Sequence, residues 1–537
     1  MIERSSPSPP ASSPLSSCWR TSSAQRATLL IDADEYFCAL RSALLQARHH
    51  VVIAGWDFDS RIHLRPRPGI AQGEYETAPT ELAELLGYLV RTRLGLQVHV
   101  IRWDYHWMYR DDREPDTRER LERVGVHFHA DGSHIITGCV HHKVVVIDDA
   151  LAFCGGIDLT HKRWDTSAHD PQCPGRCDAH AGEYMPVHDT QLCVSGRVAA
   201  DLGDYLRENW PSEGPPPPRV PEDGDLWPRG VRVDFENIPA GIARTRPPTR
   251  ERPGVREIEA LYLAAIGNTR RTLYFENQYF TSTRIARAIA EQCRREPMLE
   301  GLLVGMERPK TPVELHTMGY GLTQFHDVLV RHGLCERIPL VAALCGESQS
   351  INMHSKLALF DDEWLTVGSA NLNRRSMGFD VECNVVLESR AEAHRERMRQ
   401  LRHRLLGEHL SMEPEEVEAA VRGHGLARLP QSARRTRRLV PLRPDQLDPR
   451  LGPILAPLFD RDERLPLPAP ATRARQRSAI AALRLGGVAT LAMLSGSIVG
   501  NDSLQADLHA NPCAERRSGA IEARICEVLE HFVRLTE

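Results

Sequence analysis

Two stretches decide the reading of this chain: His141-His142-Lys143-Val144-Val145-Val146-Ile147-Asp148 and His354-Ser355-Lys356-Leu357-Ala358-Leu359-Phe360-Asp361. Both have the form His-x-Lys followed by four residues and an aspartate. Lysine is scarce here: of 67 lysines and arginines taken together, only four are lysines, and two of those stand in these stretches. A compact ammonium does not replace a planar guanidinium. Lysines kept beside histidines in an arginine-using chain therefore point to a chemical demand. The apolar run after each lysine reads as a strand. Residues two apart on a strand face the same side, so His141 and Lys143 share a face, as do His354 and Lys356. Asp148 and Asp361 fall at the strand ends, where they can turn back.

The surroundings of the two motifs also correspond. Gly155-Gly156-Ile157-Asp158 and Gly368-Ser369-Ala370-Asn371 each begin seven residues after the motif aspartate. Small residues, Ser369 among them, let backbone approach a phosphate, and Asp158 and Asn371 can hydrogen-bond neighbouring groups. Glu382, in the apolar run 381–387, is a candidate partner for a motif histidine. Asp189, just before the strand-like run 191–194, is its first-half counterpart.

Farther out, strand-like and helix-like runs alternate. In the first half, 29–31, 51–54, 98–103 and 126–129 read as strands. Helices are expected after Asp32 or Asp34 as cap, over 81–93 and over 118–124. The second half repeats the plan, with an apolar helix face at Ile258, Leu261, Tyr262 and Ala265, strands at 273–275, 302–305 and 340–344, and a helix over 398–406. This alternation predicts an α/β fold, duplicated. The expected divisions are a disordered Ser/Pro-rich tail (1–26), a first half (27–210), a linker with loops (211–250), a second half (251–410) and an irregular Arg/Pro-rich C-terminal region (411–537).

Composition sets outer bounds. With 537 residues, 41% hydrophobic and 26% charged, there is material for a large core. The formal net charge of -5 gives no basic footprint, so no nucleic-acid partner is expected. The 13 cysteines show no finger-like ligand pairing; Cys173 and Cys177, with His169 and His180 nearby, are the nearest candidate for a zinc site, against the plainer reading of a Pro/Gly-rich loop. A reducing compartment is the default, giving a cytoplasmic expectation with a peripheral place at the membrane left open. The tail lacks the apolar core of a signal peptide, and Leu485–Val499 is short for a span. Trp103, Trp107 and Tyr109 read either as a rim for acyl chains or as core. Arg434–Arg438 reads as a solvated segment or a contact for anionic headgroups.

If the two halves pack about a pseudo-twofold axis, two imidazoles face one another in a pocket flanked by two ammonium groups. One neutral histidine can attack phosphorus while the other, protonated, serves the leaving oxygen. The lysines stabilise charge on the non-bridging oxygens. The site supplies its own cations, so neither metal nor cofactor is called for.

The paired motifs resemble the duplicated HKD signature of the phospholipase D superfamily. His141–Asp148 through Gly155-Gly156-Ile157-Asp158, the segment Arg163-Trp164-Asp165 and Phe275-Glu276-Asn277-Gln278-Tyr279-Phe280 resemble its phospholipase D branch. The resemblance spans roughly residues 27–410. It implies a duplicated mixed α/β sandwich with the active site between pseudo-twofold halves. It also implies a phosphohistidine route, with His141 as nucleophile, His354 as general acid/base, and Asp148 and Asp361 as supporting carboxylates. Glu276, Asn277 and Gln278 become pocket-wall residues.

The function so implied is hydrolysis of a phospholipid to phosphatidic acid and headgroup, with transfer to water or another alcohol as acceptor at a membrane surface. A cardiolipin synthase-type phosphatidyltransferase, a nuclease or other phosphodiesterase, and a non-catalytic lipid-binding scaffold are the alternatives.

Overall fold

A computed structural model describes residues 13–442 apart from 66–72, 105–113, 115, 133–137, 179–181, 212–213, 221–223, 250–251, 308–314 and 433–435, together with residues 444 and 460. Trp107, Tyr109, His180, Arg434 and the apolar segment 485–499 lie outside the described residues.

The architecture is built on a mixed sheet whose strands read palindromically from the middle outward. The middle is the long antiparallel pair Arg20–Ile31 and Phe235–Arg246. On one side follow Thr190–Ser195, Leu151–Gly155, Val144–Ile147 and His50–Gly55, all antiparallel, then Gln97–Trp103 and His127–Asp131, both parallel. On the other side follow Glu382–Glu388, Trp364–Gly368, Lys356–Phe360 and Thr272–Asn277, all antiparallel, then Glu300–Gly305 and Leu340–Cys345, both parallel. The same order and directions in both halves make the duplication structural, and helices alternate with the parallel strands as the sequence pattern predicts.

The parallel strands bury most of their residues because both of their faces are covered. One face packs on the helices Asp32–Leu44 and Leu82–Thr92, or on Glu257–Asn268 and Thr283–Arg295. The other faces meet in a core shared by both halves, where Val144, Val146, Cys154 and Leu192 join Leu357, Val367, Cys383 and Val385. This buried seam brings the starts of the two motif strands toward each other.

Several expected boundaries shift. The tail assigned to 1–26 already contains ordered structure. Leu15 packs into the second-half core, and the strand begins at Arg20 because its polar residues find ladder partners on Phe235–Arg246. The interval 211–250, expected as linker and loops, contains that same central strand. The region from 411, expected to be irregular, contains the helix Pro414–His424. A capping box between Glu413 and Glu416 starts this helix, and it buries Val417. The edge strand Arg437–Pro441 also lies there, pairing with Leu340–Cys345, and its Leu439 is in the core. The helix after Ile31 is not capped by an Asp32 or Asp34 side chain. Instead Glu35 reaches back to the Ile31 N–H at 2.9 Å.

Candidate active site

Each motif histidine enters the site on a short segment that pairs with the opposite half. His141 N–H donates to the Val381 carbonyl at 2.8 Å, and Val140 bridges Val381. Symmetrically, His354 N–H donates to the His188 carbonyl at 2.8 Å, next to the parallel pairing of Val187–His188 with Asn352–Met353. Each imidazole then meets the carboxylate that follows its partner segment. His141 Nδ1 stands 3.1 Å from both oxygens of Glu382. His354 Nδ1 stands 2.6 Å from Asp189. Both acids stood out in the sequence as partners; the crosswise pairing is a result of the fold. Holding Nδ1–H on a carboxylate fixes the tautomer and leaves Nε2 as the nitrogen with the lone pair.

The lysines follow the expected side-chain alternation. Each returns to the carbonyl of its own histidine, Lys143 to His141 at 2.8 Å and Lys356 to His354. Beyond that they differ. Lys143 forms an ion pair with Asp158 at 3.1 Å, both buried. Lys356 meets the neutral amide oxygen of Gln278 at 3.3 Å. The Asp-for-Asn difference between the two post-motif stretches is therefore felt at the ammonium groups. Burial lowers Lys356 to a pKa of about 7, a shift that Asp189 opposes and Lys143 reinforces.

Burial, followed by the fields of Lys143 and Lys356, holds the His141 imidazole well below its ordinary pKa. Both influences favour the neutral ring. Burial raises both carboxylates to about 7. The lysines and Ser369 and Ser376 resist the shift at Glu382; Lys356 and the Thr190 N–H resist it at Asp189. That the field of Lys356 reaches His141 and Glu382, and that of Lys143 reaches Lys356, places both motifs in one electrostatic unit.

Other expected site residues separate into supports and bystanders. Ser369 Oγ donates to Glu382, and Asp158 also accepts from the Trp56 N–H at 2.9 Å. Gly155 and Gly156 stand hard against polar groups of the neighbouring strand. A Cβ on Gly156 would lie 2.1 Å from Asp189 Oδ1, and one on Gly155 would lie 2.4 Å from Gln191 Oε1. They make room for the polar groups behind His354. Asn277 Oδ1 accepts from the Leu372 N–H at 3.0 Å and shapes the loop that carries Asn371. Asn371 is buried, with no hydrogen-bond partner for its Oδ1 among the described residues. Glu276 belongs to a separate buried network, 3.0 Å from both His188 Nε2 and His409 Nε2.

Asp148 and Asp361, read from the sequence as supporting carboxylates or as holders of the strand ends, lie at the ends of the motif strands away from the histidines. Asp148 accepts from the N–H groups of Arg48, His49 and His50 at 2.7–2.8 Å. Asp361 accepts likewise from Arg270, Arg271 and Thr272. Both have φ of 51°. They do turn back, but onto the start of the neighbouring strand. A four-residue run between lysine and aspartate carries the acid some 16 Å away along an extended strand.

His142 is packed, with Nδ1 2.7 Å from the Tyr205 hydroxyl. Trp103 is core, its ring centroid 6.0 Å from that of Trp56. Sequence reasoning missed Arg163 as a cation acting on Asp189 and Lys356. It also missed the buried cluster of Asp32, His169, His188 and Glu408. Nothing in the local pattern marks that cluster, because its members come from distant segments.

The chain is similar to several known proteins. A family model described as cardiolipin synthase, PLD-like domain, matches residues 262–404. The chain is 28% identical over 255 residues to cardiolipin synthase B of Salmonella typhi, covering 47% of this chain and 52% of that protein. It is 23% identical over 434 residues to phospholipase D A of Dictyostelium discoideum, covering 65% of this chain and 32% of that one. The chain thus spans about half the length, or less, of these curated relatives. In fold it is similar to the crystal structure of phosphatidylserine synthase from Haemophilus influenzae Rd KW20. The TM-score is 0.51 at 12% identity, over 75% of this chain and 93% of that one.

Proposed function

Because the chain belongs to the phospholipase D superfamily, we propose that it is a phospholipase D, cleaving the distal phosphodiester of phospholipids at a membrane surface. The observation that carries this reading is the crosswise pair, His141 on Glu382 and His354 on Asp189, with both motif lysines alongside.

In the proposed mechanism the neutral Nε2 of His141 attacks phosphorus. The P–N bond forms as the P–O bond to the headgroup breaks, and protonated His354 gives its Nε2 proton to the departing oxygen. Asp189 holds His354 in place and favours its charged form, as a carboxylate does behind other catalytic imidazoles. Lys143 and Lys356 offset charge developing on the non-bridging oxygens. Water or an alcohol then gives its proton to His354 and attacks phosphorus, and the P–N bond breaks. A free headgroup and phosphatidic acid, or a phosphatidyl-alcohol, result.

A second reading is favoured by the relatives named cardiolipin synthase and by the matching family model. In that reading the acceptor is the hydroxyl of another phospholipid and the enzyme is a phosphatidyltransferase with the same first step. No described helix is long and apolar enough to cross a membrane.

The deciding experiment is product analysis of the full chain with mixed phospholipid vesicles, with and without a short primary alcohol. Phosphatidic acid that is diverted to phosphatidyl-alcohol supports the phospholipase. Cardiolipin without phosphatidic acid moves the assignment to the transferase, and the absence of any lipid product overturns both.

A further inference from the structure

Next to the segment that carries Asp189, the carboxylate on His354, four buried side chains converge. Asp32 opens the helix Asp32–Leu44, His169 lies on a loop, His188 directly precedes Asp189, and Glu408 is near the end of the helix Glu392–Leu410. One ligating atom from each lies within 4.8 Å of all the others. His188 Nδ1 is 2.6 Å from Glu408 Oε1 and 3.2 Å from Asp32 Oδ1. His169 Nε2 is 3.0 Å from the same Glu408 oxygen and 3.7 Å from Asp32 Oδ2. Donor atoms on a tetrahedral zinc ion, with bonds near 2 Å, stand about 3.3 Å apart.

Two further observations point to a cation. Asp32 is 1% exposed, and its Oδ2 has no hydrogen-bond partner among the described residues. Each histidine also uses its other nitrogen as a metal-ligating histidine does, on a carboxylate that orients the ring. His169 Nδ1 lies 3.0 Å from Asp165, which Arg176 holds from behind at 3.0 Å. His188 Nε2 lies 3.0 Å from Glu276.

We infer that Asp32, His169, His188 and Glu408 form a closed structural site for a divalent transition-metal ion of the zinc type. Two imidazoles and two carboxylates suit such an ion better than magnesium or calcium, which take oxygen ligands. With four protein ligands there is no open position for substrate, so the ion is structural and the phosphoryl chemistry stays with the histidines. Its place in the fold is specific. It ties the last turns of the helix Glu392–Leu410 to the segment that carries Asp189, and so steadies the carboxylate on His354. The cysteine pair Cys173 and Cys177 takes no part; Cys177 is exposed, and His169 points to Asp165 and Glu408 instead.

The test uses untagged full-length protein, incubated with zinc, desalted and analysed for metal. We expect about one tightly held zinc per chain, unchanged in a Cys173→Ser/Cys177→Ser variant and lost in His169→Gln/Glu408→Gln. Zinc should also raise the melting temperature of chelator-treated protein. If the double variant does not fold, cobalt substitution of the wild type decides. Visible bands of tetrahedral intensity without thiolate charge transfer support the site; thiolate bands overturn it. Less than about a tenth of an equivalent bound also overturns it, leaving a charged side-chain network only. The metal content is read without substrate, so this result is separate from that of the lipid assay.

Discussion

At the scale of the residue, the two motif histidines are chemically distinct despite their symmetric settings. Lys143 has a carboxylate against it and Lys356 an amide, and the proposed mechanism gives the two rings opposite protonation states. We expect His141→Ala to abolish turnover on every substrate. His354→Ala should lose about 10²–10⁴-fold on phospholipids, the usual contribution of a general acid. It should recover most of that on an aryl phosphodiester whose leaving group needs no proton. Steady-state rates on both substrates test this, and equal recovery by the two variants would overturn the assigned roles.

The pH profile is a second consequence at this scale. Glu382 and Asp189, raised to about 7 by burial, gain protons as pH falls through that region and then hold an imidazolium less well. Lys356, lowered to about 7, loses its proton as pH rises through the same region and no longer offsets phosphoryl charge. His141, kept well below its ordinary value, does not set the acid limb. A narrow bell in kcat/KM centred near neutrality is expected on a soluble substrate. Lys356→Arg, whose side chain stays charged, should move the alkaline limb upward in whatever activity remains.

At the scale of the element, the motif strand is anchored at one end and reactive at the other. Asp148 and Asp361 satisfy three backbone N–H groups each at the anchored end. Asp148→Ala should lower unfolding free energy by roughly 1–3 kcal/mol, because it leaves N–H donors without an acceptor. The rate per folded molecule should change little. Denaturant titration together with active-site-normalised turnover checks both halves of this statement. Gly156→Ala should act in the opposite way. Its new Cβ must displace Asp189, so kcat on phospholipids falls while a substrate needing no leaving-group proton is spared. A uniform loss on both substrates would show that the glycine serves packing alone.

At the scale of the whole molecule, neither half contains a complete site. His141 needs Glu382, His354 needs Asp189, and the two halves of the sheet join through the strands Arg20–Ile31 and Phe235–Arg246. A chain cut between 211 and 234 should therefore be inactive as either fragment alone and active when both fragments are produced together. Activity from one fragment, measured by phosphodiester cleavage, would refute this shared-site arrangement.

What the sequence by itself determined is whatever local repetition encodes. The two motifs, the strand alternation that puts each lysine on its histidine's face, the duplicated α/β plan and the candidacy of Glu382 and Asp189 were all legible, because period and spacing are properties of neighbouring residues. Only the tertiary structure decided which carboxylate serves which histidine, that the motif aspartates hold strand ends, and that Gly156 clears space for Asp189. It also showed that the polar N-terminal strand and the segments after 411 belong to the folded body. Those outcomes depend on pairings between residues far apart in the chain. Asp32, His169, His188 and Glu408 meet only because the seam between the halves buries them together.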